Sequence, residues 1–189
     1  MKIHEVIITT CDKDSNHHIA PMGINIIDNT VIIKPFKPSK TLDNLRESKC
    51  AIVNFIDDVR VFAGIVTGVK REWCLEKVSD NKLMRLRDAN SHFMLQVKTE
   101  IDDEVRPKIS CDIIDRKAYK PFLGFNRAQF SVIEAAVLVS RLGRLPMEKI
   151  HKEIEYLKIG LDKTAGNIEL EAWSWIEEKI KSFEINNNA

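Results

Sequence analysis

The 189-residue sequence has no long apolar run, no close pair of cysteines and no surplus of charge of either sign. No run approaches the roughly 18 consecutive apolar residues that a membrane-spanning helix needs, and MKIHEVIITT at the N-terminus lacks the apolar core of a signal peptide. The 29 Lys and Arg residues nearly balance the 28 Asp and Glu residues, which gives no electrostatic reason to expect nucleic acid or an anionic membrane as partner. We therefore expect a cytoplasmic protein that binds neither.

The four cysteines, Cys11, Cys50, Cys74 and Cys111, are far apart in the sequence and include no C-x-x-C pair. Their spacing indicates neither a zinc knuckle nor a redox dithiol. Three of them lie in apolar, strand-like runs, where buried free thiols in a reducing compartment are expected.

The first two thirds of the sequence is rich in apolar and β-branched residues, which predicts strands. The short polar connections between the first runs can join only antiparallel strands. Residues 38–49 predict a short helix, because Ser39 is a favourable N-cap and Leu42 and Leu45 form an apolar stripe. Residues 80–90 are charged and compatible with a helix. The predicted strands are 4–11, 17–27, 30–36, 50–57, 59–69, 91–103 and 106–119.

From about Gly124 the spacing of the apolar residues becomes helical. Three successive amphipathic helices are predicted, over residues 125–143, 145–161 and 166–183. The face predicted for the first of them comprises Phe130, Ile133, Val137 and Ser140.

Strands followed by helices favour an α+β fold over an alternating α/β fold. A six-strand antiparallel meander, interrupted by the short helix, is expected to close as a barrel, because closure removes exposed strand edges. The sequence thus predicts a barrel domain at 1–122 and a helical subdomain at 123–189.

Two residues that central strands avoid interrupt the predicted strand HHIAPMGINII at 17–27. Pro21 has no amide donor, and Gly23 indicates a bulge or a close approach of the backbone to another group. A plain β-bulge at a barrel corner explains both residues, and so does a ligand that lies against the backbone.

The start of the helix predicted at 38–49 has the features of a phosphate site. A helix N-terminus offers free N–H groups and a partial positive charge. Ser39 and Thr41 add hydroxyl donors, and Lys37 or Lys40 adds charge, so a phosphate could be held there. The alternative is that Ser39 only caps the helix and Thr41 only fills its first turn.

The motifs of other common enzyme classes are missing: the sequence has no G-x-G-x-x-G, P-loop, H-E-x-x-H or G-x-S-x-G pattern. The adjacent His17 and His18 point to opposite faces of a strand, so they do not easily share a metal ion. Arg127 is interpreted as an ion-pairing residue at a helix start rather than as a phosphate ligand. We expect no metal site, and no residue stands out as a catalytic acid or base.

Several motifs together resemble a known family. The order TT, APMGINI, KPF, SKTLDNL and CAIVNF is similar to that of flavin-reductase-like FMN-binding split barrels. The resemblance is closer to one branch, the domain-of-unknown-function 447 family, through HIAPMG at 18–23, FNRAQFSVIEAAVLVSR at 125–141 and KTAGNIELEA at 163–172. It spans nearly the whole chain.

This resemblance implies a homodimer of split barrels with FMN in a groove between the subunits. The flavin ring would lie against the backbone of one strand, and the phosphate would lie at the following loop and helix start. The residues implied for the ring are Pro21, Met22, Gly23 and Ile24, with His18 earlier on the strand. The residues implied for the phosphate are Lys34, Phe36, Ser39 and Thr41, with Asn44 supporting the loop.

The chemistry that the resemblance implies is that of the flavin, a transfer of hydride or electrons involving a substrate that the sequence does not name. Flavin reductases often have a small polar run where this chain has the apolar Ile24 and Ile26, which implies fewer hydroxyl contacts to the ring. The alternative is a non-catalytic module that binds flavin or another phosphate-bearing ligand and uses its helices as a partner surface.

Overall fold

The computed structural model describes residues 2–78 and 82–188. The chain divides into two compact units: Met1–Ile56 with Glu72–Phe122, and Asp57–Arg71 with Leu123–Ala189. The first unit is a β-barrel and the second is helical. Residues 57–71 thus group with the helices, although the sequence assigns them to a first domain at 1–122.

The barrel unit contains the strands and one short helix. The elements of this unit are β1 (His4–Cys11), β2 (His17–Ile27), β3 (Thr30–Ile33), α1 (Lys40–Ser48), β4 (Cys50–Phe55), β5 (Leu75–Lys77), β6 (Met84–Leu86), β7 (Ser91–Ile101) and β8 (Lys108–Ala118). Strands β1, β2, β3, β8, β7 and β4 close in that order into an antiparallel barrel, and β5 and β6 form a separate two-stranded sheet.

Alternate residues of each barrel strand face the interior, because successive side chains of a strand point to opposite faces. Helix α1 adds Leu42 and Leu45 to the same core. The fully buried strand residues of this core include Val6, Ile8, Ile24, Val31, Ile33, Val53, Leu95 and Ile109.

The predicted α+β fold, a six-strand antiparallel barrel followed by helices, is confirmed. The strand order is not a simple meander, since β4 pairs with β1 on one side and with β7 on the other. Strand β3 ends at Ile33 rather than at residue 36. The buried Pro35, which has no N–H to donate to a ladder, follows that end closely.

The strand predicted at 59–69 is wrong, because these residues form helix α2 (Arg60–Thr67). A short apolar run fits a buried strand and a buried helix equally well, and here Val59 and Ala63 belong to the helical core. Gly68, at φ 84°, ends the helix in the left-handed region.

The helix considered at 80–90 is also wrong for the described part of that segment, where Met84–Leu86 forms β6. This strand pairs with β5 in the register Leu75↔Leu86. Residues 80 and 81 of the predicted segment lie outside the described residues.

The helical unit contains α2 together with α3 (Arg127–Val139), α4 (Met147–Thr164) and α5 (Asn167–Asn188). Its core comes from all four helices and includes Val132, Ile150, Leu157, Trp173 and Ile176. No helix in the described ranges is both long enough and apolar enough to span a membrane.

The face predicted for α3 is wrong. Phe130 is 54% exposed, whereas the small residues Ala128, Ala135 and Ala136 are buried in the helical core. Close packing of the helices requires small side chains here, so the spacing of the large apolar residues does not identify the buried face of α3. At the crossing with α4, a Cβ on Gly160 would lie 2.8 Å from the Ser131 hydroxyl oxygen.

Candidate functional site

Strand β2 has one edge with no strand partner over most of its length. It pairs with β1 from His17 to Ile24, but with β3 only from Ile24 to Ile27. Among the described residues, no strand of the barrel covers the other edge of residues 17–23. Pro21 lies in this half-paired segment, where a missing donor is tolerated.

The residues predicted to lie under the flavin ring alternate between the two faces of strand β2. Met22 and Ile24 point into the barrel core, and Ile24 is fully buried, so only the backbone of Ile24 is available to a ligand. Gly23 lies opposite Glu5, and a Cβ on Gly23 would lie 2.9 Å from the Ile3 Cγ2 atom. The protein itself therefore gives a reason for glycine at this position.

The loop 34–39, between β3 and α1, displays several predicted phosphate residues. Lys34 is exposed, and Phe36 is 51% exposed. The Lys37 backbone N–H donates to the Val105 carbonyl at 2.8 Å. The Lys37 ammonium pairs with Asp102, and this hydrogen bond lowers the pKa of the Asp102 carboxyl.

Arg106 holds this loop, and sequence reasoning missed it. Its guanidinium donates to the Lys34 carbonyl from Nη2 at 2.9 Å and from Nε at 3.1 Å. It also lies over the Phe36 ring, with Cζ 4.5 Å from the ring centroid. The Asp103 carboxylate fixes the turn before it, accepting the Arg106 backbone N–H at 2.7 Å. No local signal in the sequence indicates that this arginine reaches residues 34–36.

Helix α1 begins as the sequence predicts. Ser39 is the N-cap, with its Oγ accepting the Leu42 N–H at 3.3 Å. The N–H groups of Lys40 and Thr41 precede the first intrahelical bond, so they remain available to a ligand. The Thr41 side chain is buried, with 2% of its surface exposed, and the Ser39 side chain is half-buried.

Asn44 connects helix α1 to strand β1, the neighbour of the strand predicted to hold the ring. Its buried Nδ2 donates to the Thr10 hydroxyl at 2.9 Å, and Thr10 lies opposite His18 in the β1–β2 ladder. The Asn44 Oδ1 atom is buried and has no hydrogen-bond partner among the described atoms. The pair Asn44–Thr10 thus joins helix α1 to strand β1 opposite His18, and the supporting role of Asn44 stays a prediction.

A buried histidine lies elsewhere on the barrel, at His92. Its Nδ1 lies 3.0 Å from the Tyr119 hydroxyl oxygen, and Arg85 Cζ lies 3.7 Å from the Tyr119 ring centroid. The Nε2 atom is buried without a hydrogen bond among the described residues and lies 3.9 Å from Asp115 Oδ2. Burial is the main cause that lowers the pKa of His92. The charge of Asp115 raises this pKa, whereas the charges of Arg85 and Lys117 lower it further.

We expect this histidine to make the protein less stable in mild acid. Because folding lowers the pKa of His92, the neutral histidine contributes fully to the free energy of unfolding above its unfolded pKa of about 6.5. This contribution is lost as pH falls below that value. In urea unfolding between pH 7.5 and 5.5, the free energy of unfolding should fall by up to about 1.4 kcal/mol per pH unit. His92→Gln should flatten this dependence, whereas His4→Gln, at a half-buried position of β1, controls for substitution of a histidine. An unchanged slope in His92→Gln would contradict the assignment.

A cavity of about 420 Å³ opens in the barrel unit away from the predicted residues. None of the ten residues that the sequence assigns to a cofactor lines it. Its lining includes Cys11, Cys50 and Met94. No motif in the sequence indicates this cavity.

Two family models match the chain. One, described as Protein of unknown function (DUF447) N-terminal domain, matches residues 4–120, and another, described as Protein of unknown function (DUF447), matches residues 126–178. No curated protein matches the sequence at a significant level.

Several solved structures share the fold. The crystal structure of an FMN-bound DUF447 protein from Methanosarcina mazei is 22% identical, with a TM-score of 0.82 and 94% of each chain covered. Flavoredoxin from Methanosarcina acetivorans is 12% identical, with a TM-score of 0.52 over 65% of this chain and 72% of that one. An FMN-binding protein from Thermus thermophilus with bound p-hydroxybenzaldehyde is 8% identical, with a TM-score of 0.53 over 64% and 74%. These similarities show the split-barrel fold.

Proposed function

Because the chain belongs to the family described as Protein of unknown function (DUF447), we propose that it is an FMN-binding flavoprotein of the flavin-reductase-like split-barrel type. The observation that most supports this proposal is the FMN-bound structure from Methanosarcina mazei, which shares the fold over 94% of both chains. The residues around the 34–39 loop and β2 fit the group, as follows.

The phosphate of FMN fits the start of α1. Lys34 offers an exposed ammonium group, and the guanidinium of Arg106 is already fixed over Phe36. The free N–H groups of Lys40 and Thr41 supply the donors that helix N-termini give to phosphates. Lys37 is engaged by Asp102, so we assign it the role of holding the loop. Ser39 keeps its hydroxyl proton for a ligand, because its oxygen only accepts in the cap.

The ring of FMN fits the half-paired edge of β2. Residues from Ile19 to Gly23 lie along the part of this edge that pairs with no described strand. When bound, FMN supplies hydride or electron transfer, and the protein contributes binding, orientation and exclusion of water. Asn44 keeps α1 in place against β1, next to His18.

We further propose that the protein is a homodimer with FMN between the subunits. The exposed Phe36 on the 34–39 loop and Ile3, which is 62% exposed beside Gly23, are apolar groups that a second subunit would cover. The four free cysteines support a reducing, cytoplasmic location.

Flavin binding is tested most directly by the absorbance spectrum of the purified protein and by an FMN titration followed by fluorescence quenching. We expect a yellow protein, or an apoprotein that binds micromolar FMN. A colourless protein that leaves FMN fluorescence unchanged at micromolar flavin would contradict the proposal.

Substitutions at the phosphate site should weaken FMN without changing the fold. Lys34→Ala, and separately Ser39→Ala, should each weaken FMN binding by about 1–3 kcal/mol, because each removes a side-chain hydrogen bond to a charged group. Lys98→Ala, which removes a lysine that pairs with Asp112 on the barrel surface, is the matched control and should leave affinity unchanged. Equal affinities in all variants would mean that the phosphate lies elsewhere.

Anaerobic mixing of the flavin-loaded protein with NADH or NADPH separates an oxidoreductase from a binding module. Rapid bleaching of the flavin absorbance supports the oxidoreductase. Flavin that stays oxidised with both donors favours a non-catalytic flavin-binding protein or a different reductant.

A further inference from the structure

Two cysteines that are 39 positions apart in the sequence lie opposite each other in the barrel. Strands β1 and β4 pair in the register Ile7↔Asn54 to Thr9↔Ile52. Continued by two residues, this register places Cys11 opposite Cys50, and both cysteines pack in the same apolar cluster. Directly opposite residues of antiparallel strands have Cα atoms about 4.5–5.5 Å apart. Disulfides need Cα separations of about 4.4–6.8 Å. The extrapolated position of the two cysteines is therefore compatible with a disulfide.

Both cysteines line the cavity of about 420 Å³, a size in the range of small-molecule sites. Leu83 and Met94 contribute apolar surface beside them. Cys11 is 3% exposed, whereas Cys50 is half-buried, so a molecule in the cavity reaches Cys50 more easily. The site thus combines an accessible thiol with a second, protected thiol.

The rim of the cavity favours a carboxylate-bearing ligand. Lys13 and Lys82 line it, and the Lys82 ammonium donates to the Lys13 carbonyl at 3.4 Å. The carboxylates of Asp12 and Glu47 also lie at the rim, but Asp12 pairs with Lys40, so three ammonium groups face two carboxylates. Glu47 accepts the Lys13 backbone N–H at 3.2 Å, and Asp12 accepts bonds from Asn16 and pairs with Lys40 at 3.1 Å.

We propose that Cys11 and Cys50 form a redox-active pair that reacts with small disulfides carrying carboxylate groups. The Cys50 thiolate attacks one sulfur of the ligand disulfide, whose S–S bond breaks and releases one thiol. The Cys11 thiolate then attacks the Cys50 sulfur of the mixed disulfide and releases the second thiol. Two protein thiols are oxidised to one disulfide, and the ligand disulfide is reduced to two thiols. This activity does not rest on the flavin proposal.

The charge environment agrees with these roles. Burial raises the pKa of the Cys11 thiol, and the charges of Cys50 and Asp12 raise it further, which slows attack by Cys11 in the first step. Lys82 opposes this shift and favours the Cys11 thiolate when it is needed for the second step. Cys111 lies in the barrel core and does not line the cavity, and burial raises its pKa to about 12.

The test uses the protein as purified, with Cys74→Ser to remove the exposed thiol. After incubation with 3,3′-dithiodipropionate, a dianion, non-reducing peptide mass spectrometry should find Cys11 linked to Cys50, with Cys111 still reduced. Two thiol equivalents should be released per protein. Cystamine, a dication of similar size, should react about tenfold more slowly because the rim is cationic.

Single variants identify the order of attack and the role of the rim. Cys11→Ser should accumulate a mixed disulfide on Cys50, whereas Cys50→Ser should form no cross-link. Lys13→Gln with Lys82→Gln should remove the preference for the dianion. The proposal is overturned if the Cys74→Ser protein yields no Cys11–Cys50 peptide. Equal rates with both disulfides would overturn the ligand class. If a serine variant at Cys11 or Cys50 fails to fold, peptide mapping of the Cys74→Ser protein still shows whether the Cys11–Cys50 disulfide forms.

Discussion

Replacing Asn54 by Ala should lower the free energy of unfolding by about 3–4 kcal/mol, since it leaves several buried polar groups unpaired. Asn54 is fully buried on β4. Its Nδ2 donates to the Ile7 carbonyl at 3.1 Å and to the Thr9 hydroxyl at 2.9 Å, and its Oδ1 accepts the Leu86 N–H at 2.7 Å. One side chain therefore connects β4 to β1 and to β6.

The measurement is urea unfolding followed by circular dichroism, with amide hydrogen exchange as a local readout. Residues near Leu86 should exchange faster in the variant, because the Leu86 N–H loses its acceptor. Asn25→Ala is the matched control: Asn25 is 9% exposed, and its Nδ2 donates to the Lys2 carbonyl at 2.7 Å. That substitution should cost about 1 kcal/mol. Equal costs for the two variants would show that the three bonds of Asn54 contribute little.

Asn54 should also affect access to the cavity that Cys11 and Cys50 line. Leu83 lines that cavity and lies three residues before Leu86. Looser attachment of β6 should make Cys11 more accessible, so Asn54→Ala should react faster with a thiol reagent at this cysteine. The stability of the barrel and the protection of Cys11 thus depend on the same side chain.

Local patterns in the sequence were sufficient for most of the fold. Runs of apolar and β-branched residues predicted β1 and β2 over the residues that the structure assigns to them, and the Ser39 cap predicted the start of α1. The run at 59–69 was misread because its apolar residues satisfy both strand and helix spacing. Only its position among α3 and α5 residues in the helical core resolves the choice, and that information is not local.

Some residues of the candidate site can likewise be recognised from local sequence, and others cannot. The Pro21–Gly23 interruption and the Ser39 helix start are visible within a few residues of sequence. Arg106 is not, because it meets residues 34–36 only through the pairing of β3 with β8. The Cys11–Cys50 pair is hidden for the same reason, since the register of β1 with β4 brings these residues together.

Replacing Trp173 by Ala should lower the free energy of unfolding of the helical unit by about 3–5 kcal/mol, the usual cost of deleting a buried aromatic side chain. Trp173 is 4% exposed in the core formed by α2, α3, α4 and α5. Trp175→Ala is the matched control on the same helix and should cost less, because Trp175 is only partly buried at the edge of that core. Circular dichroism is the readout, since tryptophan fluorescence changes with the substitution itself.

Trp173→Phe separates loss of volume from loss of the indole donor. The Nε1 atom is buried and has no hydrogen-bond partner in the part of the chain that is described. An unpaired buried donor costs about 1–3 kcal/mol, so its removal offsets part of the lost packing, and Trp173→Phe should be much closer to wild type than Trp173→Ala. A Phe variant as unstable as the Ala variant would contradict the unpaired state of the indole.

Trp173→Ala also tests where the flavin is held. Every residue that we assign to FMN lies in the barrel unit, from His18 on β2 to Arg106 before β8. At a temperature where the variant stays folded, its FMN affinity should therefore match that of the wild type, while its unfolding midpoint in urea is lower. A loss of FMN binding as large as that caused by Lys34→Ala, in a folded Trp173→Ala protein, would mean that the helices contribute to the flavin site and that the assignment to the barrel alone is wrong.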